Sequence, residues 1–152
     1  YSARDIDGGS RMKYINAPVP KSQIIFSDIL IDWTQPVTLV EGPLDMLAAG
    51  PNAICLLGSH LGYESSLFKK IVKNKPEVFI ALDFDARSKS QKIAELLSSY
   101  DVKVNYVEMP QTEDVSDMGE DNFLKRKNLA TLWSRENKIM KMISDIKSGS
   151  IL

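Results

Sequence analysis

Along the middle of the chain, apolar β-prone runs alternate with segments whose apolar residues recur every three to four positions. The runs fall at 37–41, 53–57, 78–82 and 102–107, the last with partial alternation, and each reads as a strand. A continuous apolar run of this length suits a strand buried on both faces, as in a parallel sheet. Between the first two runs, Pro43 sits where a first helical turn accepts proline, and Gly50 where a helix stops. Residues 65–73 carry Leu67, Phe68, Ile71 and Val72 at helical spacing, and 88–100 carry Ile93, Leu96 and Leu97 on one face. The order β-α-β-α-β-α-β predicts an α/β fold: a mostly parallel four-stranded sheet with right-handed crossovers, flanked by helices.

The two ends follow other rules. Residues 1–6 and 11–16 flank Asp7-Gly8-Gly9-Ser10. That predicts an N-terminal β-hairpin, since Asp-Gly and Gly-Gly supply the positive φ of tight turns. Pro18 and Pro20 interrupt regular structure, so 17–36 reads as a loop around the short apolar piece Ile24-Ile25-Phe26. Residues 110–121 are acidic and loop-like, whereas 122–133 and 136–146 read as two amphipathic helices. Ser148-Gly149-Ser150 has the composition of a frayed end or linker. The pattern thus divides the chain into a basic hairpin and loop (1–36), a central α/β domain (37–121) and a C-terminal helical extension (122–152).

Composition narrows the class without naming a role. A length of 152 residues suits one domain with a small appendage, and a hydrophobic content of 43% is enough for a sizeable core. A net charge of −1 gives no global basic signature for nucleic acid, although a local basic face is compatible with it. The single cysteine, Cys55, lies in the apolar run Ala53-Ile54-Cys55-Leu56-Leu57 and reads as a small buried hydrophobe. It allows no internal disulfide, which fits a reducing compartment. One Cys and one His (His60) exclude a zinc site of the usual kind. No apolar stretch reaches membrane-spanning length. The chain begins at Tyr1, and it reads as a piece of a longer protein.

The chemistry lies at the ends of the strands. The first run closes in Glu41-Gly42-Pro43-Leu44-Asp45 and the third in Asp83-Phe84-Asp85. Ligands of open α/β sheets bind just beyond the carboxyl ends of the strands. Alternate residues of an extended segment point the same way, so Asp83 and Asp85 share one side. Like charges at that spacing cost free energy unless a cation or donors offset them, and hard oxygen ligands suit Mg²⁺ or Mn²⁺. The competing reading is helix capping, because helix starts favour Asp and Glu. Asp45, one turn after Glu41, fits either role, whereas Asp114 in Asp114-Val115-Ser116-Asp117 after the fourth strand reads either as part of a solvated acidic loop or, lying on the same edge, as a metal contact. Arg4, Arg11, Lys13 and Lys21 make the first segment basic, either as a solvated hairpin or as a phosphate-binding platform. Lys89, near the start of the helix after Asp85, is placed to meet a phosphate. His60 reads as a surface loop residue, and Trp33, Trp133 and Met140-Lys141-Met142 as packing residues.

Taken in order, Val40-Glu41-Gly42-Pro43-Leu44-Asp45, Leu57-Gly58-Ser59 and Leu82-Asp83-Phe84-Asp85 resemble the Toprim domain. That Rossmann-like domain is shared by bacterial-type primases, topoisomerases, recombination mediators and OLD-type nucleases. Its signature is a Glu after the first strand and Asp-x-Asp after the third. Lys13-Tyr14-Ile15-Asn16 resembles the Lys-Tyr-x-Asn element of bacterial and phage (DnaG-like) primases and primase–helicases, and Arg4 their preceding arginine. The likeness spans roughly residues 1–120. Ala86-Arg87-Ser88 stands where type IA topoisomerases have Arg-Glu-Gly, which disfavours them. Phe84 and Ser88 replace two primase glycines, as in a divergent phage or plasmid relative, and Val115 replaces a usual proline.

The resemblance implies RNA primer synthesis on single-stranded DNA from nucleoside triphosphates, in the cytoplasm of a bacterium or phage-infected cell and alongside a replicative helicase in the same chain or a separate one. It implies two Mg²⁺ or Mn²⁺ ions at Glu41, Asp83 and Asp85, with Asp45 and Asp114 assisting. Arg4, Lys13, Tyr14, Asn16 and Lys89 would meet nucleotide or nucleic acid, while the second basic position of the family has no secure match, Lys21 being the nearest. A primase of this type also carries a zinc-binding module and a fuller N-terminal half, so the resemblance leaves open whether this piece is active alone. Two other readings stand beside it: a Toprim nuclease using the same acids, and a non-catalytic DNA-binding module linked to a helicase.

Overall fold

In the computed structural model, residues 2–9, 11–12, 14–16, 18–58 and 60–147 are described. The expected hairpin forms from Ser2–Arg4 (β1) and Tyr14–Asn16 (β2), paired antiparallel with Ala3 opposite Ile15. Two short 3-10 turns, Lys21–Gln23 and Asp28–Leu30, occupy the proline-interrupted segment. The indole of Trp33 donates to Asp28 Oδ1 at 2.9 Å and packs against the core, which anchors this connection to the domain.

The central elements appear where the hydrophobic pattern put them, within a residue or two. They are Val37–Val40 (β3), Pro43–Ala48 (α1), Ala53–Cys55 (β4), Ser66–Asn74 (α2), Val78–Ala81 (β5), Arg87–Ser98 (α3) and Val104–Tyr106 (β6). β3 pairs in parallel with β4 on one side and β5 on the other, and β5 with β6. Side-chain alternation then sorts the core into two layers. Val37, Leu39, Ile54, Val78, Ile80 and Val104 meet α2 and α3 through Leu67, Phe68, Ile71, Ile93 and Leu97. Val40, Cys55 and Ala81 face α1 on the opposite side. The result is a three-layer α/β/α arrangement in which every central strand is covered on both faces, the physical reason for its unbroken apolar runs. Cys55 is buried as expected, and burial pushes its thiol up to about 11.

The structure corrects the C-terminal reading. Val115–Met118 (α4) forms inside the acidic segment taken for a loop, and Glu120–Lys127 (α5) ends well before 133. Thr131–Leu132 (β7) then turns back and pairs antiparallel with β6, so the order is β4-β3-β5-β6-β7 and the sheet has five strands rather than four. Two residues carry too short a pattern to read as a strand, and pairing with β6 alone creates this one. Val115, Met118 and Phe123 are buried against the α1 face, so α4 and α5 complete the second layer of the core. Arg135–Lys147 (α6) follows. Met140, expected to pack, is 67% exposed there beside exposed Ile139, Ile143 and Ile146. No helix among the described residues is long and apolar enough to cross a membrane.

Candidate active site

β3 and β5 are parallel neighbours with Val40 opposite Ala81. Their following residues therefore emerge together at the carboxyl edge of the sheet, Glu41 from one and Leu82-Asp83 from the other. The pairing by itself brings together acids 42 positions apart in sequence. After Asp83 the chain enters a short 3-10 turn, Phe84–Ala86, that leads directly into α3. Arg87 caps that turn by lying over the Phe84 ring at 4.2 Å and reaching Glu108 at 3.2 Å. An aromatic ring is thus held where the primase pattern has glycine.

Asp83 is the electrostatic centre. Its Oδ1 is buried and has no hydrogen-bond partner. Burial first, then the charges of Glu41, Asp45, Asp114 and Asp85, push its carboxyl from 3.8 up to about 6. The four other predicted acids therefore all act on Asp83 across this edge. Asp45 is raised too, again by burial first, with Asp114 and Glu41 adding.

The remaining acids are held by identifiable partners. Asp45 Oδ2 accepts the Gly42 N–H at 3.0 Å and Oδ1 accepts the Ser116 N–H at 3.3 Å. It closes the N-terminus of α1 and ties α4 to it, so both readings of Asp45 hold: it caps the helix and it belongs to the acidic cluster. The Gly42 backbone is extended (φ −127°), which any residue adopts. What favours glycine is the Asp45 carboxylate, which would lie 3.3 Å from an added Cβ. Asp114 caps α4, accepting the Asp117 N–H at 2.7 Å and the Ser116 hydroxyl at 2.8 Å, both on Oδ1. Glu41 is turned to the other side, where its Oε1 accepts Lys89 Nζ at 2.8 Å.

Two concavities meet at the Asp83–Asp85 ridge. The first, about 350 Å³, is bounded by Asp83, Asp85, Glu113 and Asp114 with Pro110, Gln111 and Thr112. The second, about 670 Å³, opens on the α3 side and runs from Glu41 and Asp85 past Lys89 and Lys92 to Leu61, Tyr63 and Leu96. Asp85 lines both. Sequence reasoning passed over Glu113, Lys92 and Tyr63. Lys92 carried a usable signal, since it stands three residues after Lys89 on one helix and so shares its face. His60, read as a surface loop residue, is exposed and also lines the larger cleft.

A divalent cation fits this edge by donor chemistry: the acids offer hard oxygens, and the buried Asp83 Oδ1 has no hydrogen-bond partner. As the side chains stand, no three His, Cys, Asp or Glu among the described residues converge on one ion. Glu41 faces Lys89 and Asp45 faces backbone N–H groups, so ligation by Glu41 requires its side chain to turn. Lys13 and Ser59 lie outside the described residues, as do the side chains of Arg4, Tyr14 and Asn16; of the hairpin, backbone pairing is what is described.

No protein-family model matches the sequence, and a search of curated proteins returns no significant match. Solved structures do match. The Aquifex aeolicus primase (zinc-binding and RNA polymerase domains) superposes with a TM-score of 0.74 and 23% identity, covering 97% of this chain and 40% of that one. The DnaG primase catalytic domain bound to single-stranded DNA gives a TM-score of 0.68 at 18% identity, covering 86% of this chain and 47% of that one. The RNA polymerase domain of Mycobacterium tuberculosis primase DnaG gives 0.65 at 19% identity, covering 86% and 50%. The chain thus spans half or less of the length of these proteins. It has the fold of DnaG primase domains, as the Toprim resemblance led one to expect.

Proposed function

We propose that this chain is the Toprim portion of a DnaG-type primase and carries the metal-dependent nucleotidyl-transfer site for RNA primer synthesis on single-stranded DNA. The observation that carries the reading is Asp83: a carboxylate with an unpartnered buried oxygen, held among four other acids at the carboxyl edge of a sheet shared with primase domains. Glu41, Asp83 and Asp85 would hold Mg²⁺ or Mn²⁺, and two ions fit the family reading. Asp114 contributes its second oxygen from the α4 cap, and Asp45 keeps the Glu41 turn and α4 in register. Bound divalent ions supply Lewis-acid activation of a primer 3′-hydroxyl and charge neutralisation on the incoming triphosphate.

The chain's own residues do the rest. The apolar strands beneath the acids exclude water from one side of the site, which strengthens every charge interaction there. Lys89 and Lys92 place ammonium groups in the larger cleft, where phosphate oxygens are the complementary ligand. The basic N-terminal segment, with Arg4, Lys13, Tyr14 and Asn16, is assigned to the nucleic-acid backbone and nucleotide, so that template, RNA primer and nucleoside triphosphate are the partners, with a replicative helicase beside them. Three of the structural neighbours were solved with DNA, which supports the nucleic-acid part of the reading.

Calorimetric titration of the EDTA-treated chain with Mn²⁺ tests the proposal. Binding is expected in the wild type and absent in the Asp83→Ala/Asp85→Ala double variant. No binding to the wild type, or equal binding to both, would sink the metal-centred reading. Mn²⁺-dependent degradation of DNA by the chain, with no nucleotide incorporation by the parent protein, would instead favour the nuclease reading.

A further inference from the structure

Helix α3 begins in a way that local physics disfavours. Its first turn holds Arg87 and Lys89 and no acid. Cations at a helix N-terminus oppose the macrodipole, which prefers negative charge there. A local conflict of this kind is expected where some other demand fixes the residue. For Arg87 that demand is visible in Phe84 and Glu108. For Lys89 it is Glu41, reached across the sheet edge at 2.8 Å from 48 positions away in sequence, with the lysine side chain only 19% exposed.

Glu41 is therefore not an idle ligand. The ammonium of Lys89 holds one oxygen of the carboxylate that the proposed metal site needs, and its charge opposes a divalent ion at the other. We propose that Lys89 is a resident counter-cation of Glu41 that competes with the divalent ion, so that entry of the metal requires Lys89 to be released into the α3-side cleft. The inference rests on the metal-centred reading above but goes beyond it. It makes Lys89 a positioning residue that sets how readily the site loads. A released Lys89 ammonium remains beside Ser88 and Lys92, which line the same cleft. Loading the acids therefore concentrates positive charge where a phosphate ligand would lie.

The alternative is a purely structural ion pair that ties the end of β3 to α3. The two differ in what removal of the lysine does to metal affinity. A structural tie predicts lower stability and unchanged Mn²⁺ binding. Competition predicts tighter Mn²⁺ binding, by about fivefold if the partly buried pair contributes near the upper end for such contacts.

The experiment is Mn²⁺ calorimetry on the full 152-residue chain in five forms: wild type, Lys89→Met, Glu41→Gln, the Lys89→Met/Glu41→Gln double variant, and Lys92→Met. Thermal melts in EDTA establish that each is folded. Lys89→Met is expected to bind Mn²⁺ about fivefold tighter than wild type. In the Glu41→Gln background the same substitution is expected to change affinity less than twofold, because the shared carboxylate is gone. Lys92→Met, which removes an equal charge from the same cleft, measures the contribution of general electrostatics, and its gain is expected to be smaller than that of Lys89→Met. Unchanged or weaker binding by Lys89→Met, or an equal gain from Lys92→Met, overturns the competition while leaving the metal site standing. If the wild type and every variant fail to bind Mn²⁺, the metal-centred reading falls and the inference with it.

Discussion

At the scale of single residues, the structure brings the acids singled out in the sequence to one sheet edge and shows what holds Glu41, Asp45 and Asp114. Glu41, Asp83 and Asp85 were legible because each follows a buried apolar run, and such a run ends where the sheet ends. Whether Asp45 capped a helix or joined the cluster was not legible, since both roles use the same residue types at the same spacing, and the helix that Asp114 caps lies in a segment that reads as a loop in sequence. The backbone N–H groups of Gly42, Ser116 and Asp117 show that Asp45 and Asp114 cap helices, and the action of both charges on Asp83 shows that they also border the cluster. Asp83 gives a prediction of its own. Its carboxyl is raised from 3.8 to about 6. Between those values the folded chain keeps a proton that the unfolded chain releases, so stability falls as pH rises from about 4 to about 6 and is level above. Asp83→Asn removes that penalty. Its melting temperature is expected to match the wild type near pH 4 and exceed it above pH 6, as read by thermal denaturation in EDTA. Added Mn²⁺ should stabilise the wild type and not the variant, reversing the order at neutral pH. A melting-temperature difference that stays constant from pH 4 to pH 7 would show that Asp83 carries no such burden.

At the scale of elements, the central strands and helices were legible because burial on both faces leaves long apolar runs and covering helices leave a 3.6-residue rhythm. β7 was not. It is two residues long and both are exposed, so it carries no apolar signature. It exists because β6 offers an open edge and Trp133 N–H donates to Val104 O at 2.8 Å. The helix before it is seated by Phe123, which is fully buried against Val115, Met118 and the α1 face. Phe123→Ala is expected to cost about 3–5 kcal/mol in urea unfolding, the usual range for truncating a buried aromatic. Because α4 carries Asp114, the same variant should also weaken Mn²⁺ binding. A loss below about 1 kcal/mol would mean that residues 120–132 lie outside the cooperative unit.

At the scale of the whole molecule, charge is unevenly spread along a chain whose net charge is only −1. The first 21 residues carry Arg4, Arg11, Lys13 and Lys21 against Asp5 and Asp7, while acids dominate the sheet edge. The proposed division of labour puts the nucleic-acid backbone on the first region and metal-held phosphate on the second. Arg4→Ala/Lys13→Ala is expected to weaken single-stranded DNA binding across sequences and to flatten its salt dependence by roughly 0.7 per lost phosphate contact. Mn²⁺ affinity should be untouched, as a salt titration by fluorescence anisotropy beside calorimetry would show. An unaltered salt slope would remove the hairpin from the binding face.

The sequence by itself determined the α/β fold, the order of its central elements and the identity of the acids, because periodicity and strand ends are local properties that survive without coordinates. The tertiary structure decided what depends on distance across the chain. Parallel pairing of β3 with β5 sets Glu41 beside Asp83, and the seat of α4 brings Asp114 to Asp83 and Asp45. The start of α3 lays Lys89 on Glu41. Electrostatic energies follow separation and burial rather than order along the chain, so the coupling that singles out Asp83, and the lysine that contests Glu41, became visible only once the sheet had brought them together.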